Sequence, residues 1–149
     1  MYRVLATALA LLLVPLPAAA EDWYRLPVTG DAGYSFVDLD SLKAQPDGHV
    51  IATSLSIHMP VIPGTRFRWM LIGGEYDCSA RSTHFLSVKG YGPDRQLLAE
   101  VGEIYEARFV PAQAGTEAEA IMDFVCNVSR KDALRVSDPW AVLPPKSDS

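Results

Sequence analysis

Between His49 and Met59 the side chains alternate strictly: Ile51, Thr53, Leu55, Ile57 and Met59 fall on one face, Ala52, Ser54, Ser56 and His58 on the other. A period of two marks a half-buried antiparallel strand and turns the first group toward the core. Tyr34 to Leu39 alternates in the same way. Trp23 to Val28 is a short aromatic and apolar run broken by Pro27, which suits an edge position because proline withholds a backbone donor. Arg66 to Cys78, Arg81 to Gly90 and Leu97 to Val101 continue the series, and Tyr105 to Pro111 adds a last extended piece. The turn-rich stretches Thr29 to Gly33, Gln45 to Gly48 and Gly90 to Asp94 separate strands without any βαβ alternation, so the sheet is expected to be a meander.

Thr116-Glu117-Ala118-Glu119 has the form of a capping box, with Thr at the N-cap and Glu three residues on, and opens the one helical pattern. Ala118, Ile121, Met122 and Val125 make its apolar stripe, Cys126 lies at the stripe's edge, and the helix is expected to run to Val128. Beyond it, residues 129–149 are rich in proline and polar residues and read as a partly disordered tail in which Trp140 offers a docking point.

Cys78 ends the longest strand-like run and Cys126 follows 48 positions later; they are the only cysteines. A disulfide between them would staple the helix to the end of a strand. Counting back by twos from an inward Cys78 puts Tyr76, Gly74, Ile72 and Met70 toward the helix. Phe67, Trp69 and Leu71 then face the opposite way. Two outcomes stay open: a β-bulge at Gly73-Gly74 that returns these residues to a single core, or an apolar patch of Phe67, Trp69 and Leu71 suited to self-association or to a partner.

Arg3 precedes an apolar run from Val4 to Leu16, and Ala18-Ala19-Ala20 supplies small residues for cleavage, so residues 1–20 read as an export signal rather than a membrane span. The domain proper is expected over residues 21–128. Export to an oxidising compartment favours the Cys78–Cys126 bond. Cleavage would leave Glu21, not a cysteine, at the new N-terminus to carry a lipid, so a soluble protein of the periplasm or cell surface is expected. Lys and Arg number 13 against 18 Asp and Glu, a formal charge of −5. Without Arg3 it becomes −6, and no basic cluster offsets it, which argues against nucleic acid as a partner. The fold class expected is α+β: an antiparallel meander of about six strands, with one C-terminal helix packed on it and tied by the disulfide.

Candidate chemistry is sparse. Both cysteines are committed, no G-x-S-x-G elbow occurs, and His49, His58 and His84 lack the spacing that pairs histidines on one helix face. His58 and His84 stand at polar-flanked outward positions, so neither a metal site nor any cofactor is expected. Asp38 and Asp40 invite a cation, but the glycine and further oxygens of a calcium loop are missing; Asp40 is expected to cap a helical turn over Ser41 to Ala44. No catalytic residues are assigned.

Trp23, the run Tyr34-Ser35-Phe36-Val37-Asp38-Leu39-Asp40-Ser41-Leu42, the segment Glu75-Tyr76-Asp77-Cys78 followed by Arg81, and Phe124-Val125-Cys126 occur in one order. Together they resemble the surface-adhesin protein E family of bacterial envelope proteins, over roughly Trp23 to Cys126. The resemblance implies an antiparallel sheet with a C-terminal helix and a disulfide. It also implies a non-enzymatic module that binds host matrix and complement-regulating proteins or forms a homodimer. A periplasmic ligand-binding or stress-response protein using the Phe67, Trp69 and Leu71 surface is the alternative.

Overall fold

The computed structural model describes residues 21–27, 33–58, 66–102 and 108–142. The expected leader over residues 1–20 lies outside them, as do the turn from Thr29 to Ala32, Met59, the loop through Pro63-Gly64, and Tyr105. The alternating segments pair in antiparallel fashion into one sheet: β1 (Trp23–Arg25), β2 (Gly33–Ala44), β3 (Val50–His58), β4 (Trp69–Asp77), β5 (Ser82–Tyr91), β6 (Leu97–Val101), β7 (Val110–Pro111) and β8 (Leu134–Val136). Spatial order is β6-β5-β4-β3-β2-β1-β8, with β7 paired to β5. One α-helix, α1 (Glu117–Val125), packs on the sheet, and Cys78 is bonded to Cys126. This is the α+β antiparallel architecture expected, with eight strands in place of about six.

The added strand β8 comes from the stretch read as tail. Asn127 takes a left-handed φ of 64° and ends the helix three residues before Val128. Arg130 then caps it, its Nε donating to the Phe124 carbonyl at 2.9 Å and a terminal nitrogen to that of Val125 at 2.9 Å. A short 3-10 turn over Arg130–Asp132 redirects the chain, and Leu134 to Val136 pairs with Arg25 to Trp23. β1 is therefore an interior strand; it stops at Arg25, so Pro27 removes no ladder bond. Three residues are too few for a periodicity to register, which is why β8 was invisible in the pattern.

No helical turn follows Asp40, because β2 runs through to Ala44. Its pairing with β3 jumps from Asp38↔Thr53 to Lys43↔Ile51, so the extra residues form a bulge. Side chains replace the missing ladder there: Ser41 Oγ accepts from the Thr53 N–H at 2.8 Å and donates to the Asp38 carbonyl at 2.6 Å. Asp38, not Asp40, does the capping, accepting from the N–H groups of Asp40 at 3.1 Å and Asp22 at 3.3 Å. Burial holds the Asp38 carboxyl above its ordinary pKa against those two donors.

Both faces of the sheet are buried, which the alternation in β3 did not suggest. Ala52, Ser54 and Ser56, the face opposite the expected core, are fully covered. They lie on the side where α1 packs, together with Val37, Leu26 and Tyr76 against Ile121, Met122, Phe124 and Val125. Small side chains on β3 leave room for the helix to approach, so small-and-polar here means close packing rather than solvent. Leu55 and Ile57 occupy the other face with Trp23, Phe36 and Trp69, and this second core is covered by Val136, Trp140 and Val142.

The Gly73-Gly74 question resolves in an unforeseen way. β4 pairs with β3 without interruption from Tyr76 to Trp69, so β4 itself carries no bulge. The irregularity sits on β5, where Gly73 faces Ser87 and Gly74 faces Phe85, leaving Leu86 as the extra residue. Gly74 serves packing instead: a Cβ there would lie 2.8–2.9 Å from the ring and hydroxyl of Tyr76, which folds back over it.

Candidate functional site

Phe67, Trp69 and Leu71 do not form one exposed patch. Leu71 pairs with Leu55 and Trp69 with Ile57, so these two face away from α1 as counted from Cys78. Trp69 is only 6% exposed, its ring 6.2 Å from that of Trp140. Trp140 is in turn edge-on to Tyr91 at 5.0 Å and is held by Arg95, which donates to its carbonyl at 2.7 Å. Phe67 lies before β4, and its ring covers Gly90, where a Cβ would approach to 2.7 Å. Because Gly90 pairs with Met70, that places Phe67 on the face opposite Trp69.

The helix side is closed by polar contacts as well as by apolar ones. Thr116 caps α1, its hydroxyl accepting from the Glu119 N–H at 3.4 Å, while the Glu119 carboxylate accepts from Gly115 at 2.7 Å. Glu117, the first residue of the helix, reaches under it and accepts hydrogen bonds from the hydroxyls of Ser35 and Ser56. Nearby, burial pushes the Tyr76 phenol up to about 12. Arg81 bridges the rim to the helix, 2.8 Å from Asp123 and 3.5 Å from Glu119.

Toward the other end of the sheet the cover thins out. β6 pairs with β5 only and, among the described residues, no strand pairs with its second edge. Leu97 is 49% exposed and Val101 53%. The strand Leu97-Leu98-Ala99-Glu100-Val101 has neither proline nor lysine, the usual devices that blunt an edge. Its one charge, Glu100, is paired with Lys89 at 2.9 Å.

A second concentration of chemistry lies on the face away from α1, where three adjacent strands bring histidines and carboxylates together. Glu75 on β4 stands opposite His84 on β5. His49, immediately before β3, reaches the same place: its Nδ1 is 2.9 Å from Glu75 Oε1 and 3.4 Å from Asp47 Oδ2. Its Nε2 is 3.6 Å from Asp77 Oδ2. The other Glu75 oxygen is 3.5 Å from His84 Nδ1. The Phe109 ring flanks both imidazoles, with centroids 5.1 Å from His49 and 5.5 Å from His84. The hydrogen bond to Glu75, aided by the charges of Asp47 and Asp77, raises the pKa of His49 above its ordinary value against partial burial. Asp77 is held below the usual carboxylate range by the hydroxyl of Ser79 and the N–H of Ala80.

His84, expected at an outward, polar-flanked position, instead has a side chain only 19% exposed and faces Glu75. One half of the cluster was within reach of hairpin arithmetic, since a tight connection from Asp77 to Ser82 sets Glu75 across from His84. His49 was not, because the register of β3 on β4 depends on a longer loop. The side chain of His58 is outside the described set.

Compared with known proteins, the chain matches no protein family, no curated protein and no solved structure. No helix among the described residues is long and apolar enough to cross a membrane.

Proposed function

We propose that the protein is a non-enzymatic binding module of the bacterial envelope, similar to surface-adhesin protein E, exported to the periplasm or cell surface and engaging a protein partner along β6. The observation that carries this reading is the unpaired edge of β6, whose one charge, Glu100, is engaged by Lys89, with Leu97 and Val101 exposed beside it. Unpaired N–H and C=O groups on an edge strand recruit an extended segment of another chain, and alternate apolar side chains supply specificity. The α+β sheet with its disulfide-tied helix is the architecture that the protein E resemblance implies, which adds support. The same edge serves a second copy in a homodimer.

The test is to present the purified domain to immobilised matrix and complement-regulating proteins and to measure its mass in solution. Saturable binding, or a dimer, that is lost in Ala99→Pro supports the reading. A monomer with no saturable binding to any of these proteins removes it. The alternative, a small-ligand protein using Phe67, Trp69 and Leu71, has less support, because a ligand would first have to displace Trp140 from Trp69.

A further inference from the structure

The histidine and carboxylate cluster on β3, β4 and β5 plays no part in strand-edge recognition. Its components nonetheless have the composition and spacing of a coordination sphere. One nitrogen or oxygen from each of Asp47, His49 and Glu75 can be chosen so that all lie within 4.8 Å of one another. For an ion bound at 2.0–2.2 Å with tetrahedral angles, ligand atoms stand about 3.3 Å apart. The observed separations of 2.9 Å for His49–Glu75 and 3.4 Å for His49–Asp47 bracket that value.

We propose that Asp47, His49 and Glu75 form a binding site for a divalent transition-metal ion of the zinc class. His49 Nδ1, Glu75 Oε1 and Asp47 Oδ2 are the ligands, and a fourth position is left for water or for His84. An imidazole with carboxylates selects zinc, nickel or copper over magnesium and calcium, which prefer all-oxygen spheres. The surroundings match what such ions need beyond their ligands. Asp77 stands beside the far nitrogen of His49, where metal-bound imidazoles keep a carboxylate to fix ring orientation. His84 holds the second oxygen of Glu75, and Phe109 lies against both rings and limits access of water. His49 and Glu75 are about one-fifth exposed, whereas Asp47, on the turn before β3, is 59% exposed, so two ligands are held against the sheet and the third stands on the side open to entry. Binding displaces the proton that Nδ1 and Glu75 otherwise share; no redox step is involved.

The experiment is a calorimetric titration of zinc chloride into the purified protein in a non-chelating buffer, with histidine ring signals followed by NMR. The expected result is one zinc per chain, with shifts in the rings of His49 and His84. His49→Ala and Glu75→Gln each weaken binding by at least about tenfold, Glu100→Gln leaves it unchanged, and calcium at equal concentration does not compete. Circular dichroism of the zinc-free variants shows whether they fold. If either does not, the ring shifts of the native chain decide alone. Absence of a one-equivalent event, equal binding by calcium, unmoved His49 signals, or full affinity in folded His49→Ala would each overturn the site. None of these outcomes depends on whether β6 binds a protein.

Discussion

The two faces of the sheet are covered by different means. On one, α1 lies over Ala52, Ser54 and Ser56 and is tied by the Cys78–Cys126 bond and by Glu117 reaching Ser35 and Ser56. On the other, Trp23, Phe36, Leu55, Ile57 and Trp69 are covered by a short segment carrying Val136, Trp140 and Val142, with no covalent tie. A helix standing on small residues gains little apolar area from each strand position and relies on a crosslink and buried hydrogen bonds. A pair of tryptophans buries enough area to hold an irregular segment in place without either. The expected consequence is a stability difference: the helix face should respond most to chemistry at its ties, the tryptophan face to loss of a single ring.

Removing the tie should have the largest effect. Reduction, or the double change Cys78→Ser with Cys126→Ser, releases a closed loop with a sequence separation of 48 and should cost about 4 kcal/mol in urea unfolding. A loss under about 1 kcal/mol would show that the helix is held by packing alone. Next comes alkaline pH. Tyr76 ionises at about 12 in the folded chain against about 10 unfolded, so the folded state holds the proton longer. The stability this confers is complete below pH 10 and lost as pH rises toward 12, by about 3 kcal/mol in all. Tyr76→Phe should flatten that alkaline limb; an unchanged limb would assign it elsewhere.

On the opposite face, Trp140→Ala should cost about 2 kcal/mol, because its ring is partly exposed and packs tilted against Trp69 and edge-on to Tyr91. The fluorescence of Trp69 should shift to the red while the helical circular dichroism stays. A loss equal to that of the disulfide would mean that the two faces share their stability evenly. Asp123→Asn should have the smallest effect, about 0.5 kcal/mol and less at high salt, since Arg81 and Asp123 are a solvent-screened pair. A larger loss would make this rim contact part of the helix tie.

Much of this was legible in the residues, and the misses share a cause. The capping box from Thr116 to Glu119 marked the helix start, and alternation located β2 to β6. Parity set Cys78 and Tyr76 on the helix face, but it left Trp69 open between a bulge that would return it there and a place on the opposite face, which the unbroken β3–β4 register decides. The extra strand β8, the bulge in β2 and the placement of Phe67 over Gly90 were missed, because each depends on what the chain meets after it turns. So was the meeting of His49 and His84 at Glu75. A histidine flanked by polar residues looks solvated until the register of its neighbours places a carboxylate across from it.

Taken alone, the order of residues determined the strand and helix segments, the pairing of the two cysteines and the α+β class, because periodicity, caps and an even thiol count are local properties of the chain. Tertiary structure decided which face of β3 takes the helix, which strands lie at the edges, and which titratable groups converge. Those outcomes follow from register and packing between segments far apart in sequence, where a shift of one residue reverses every side chain.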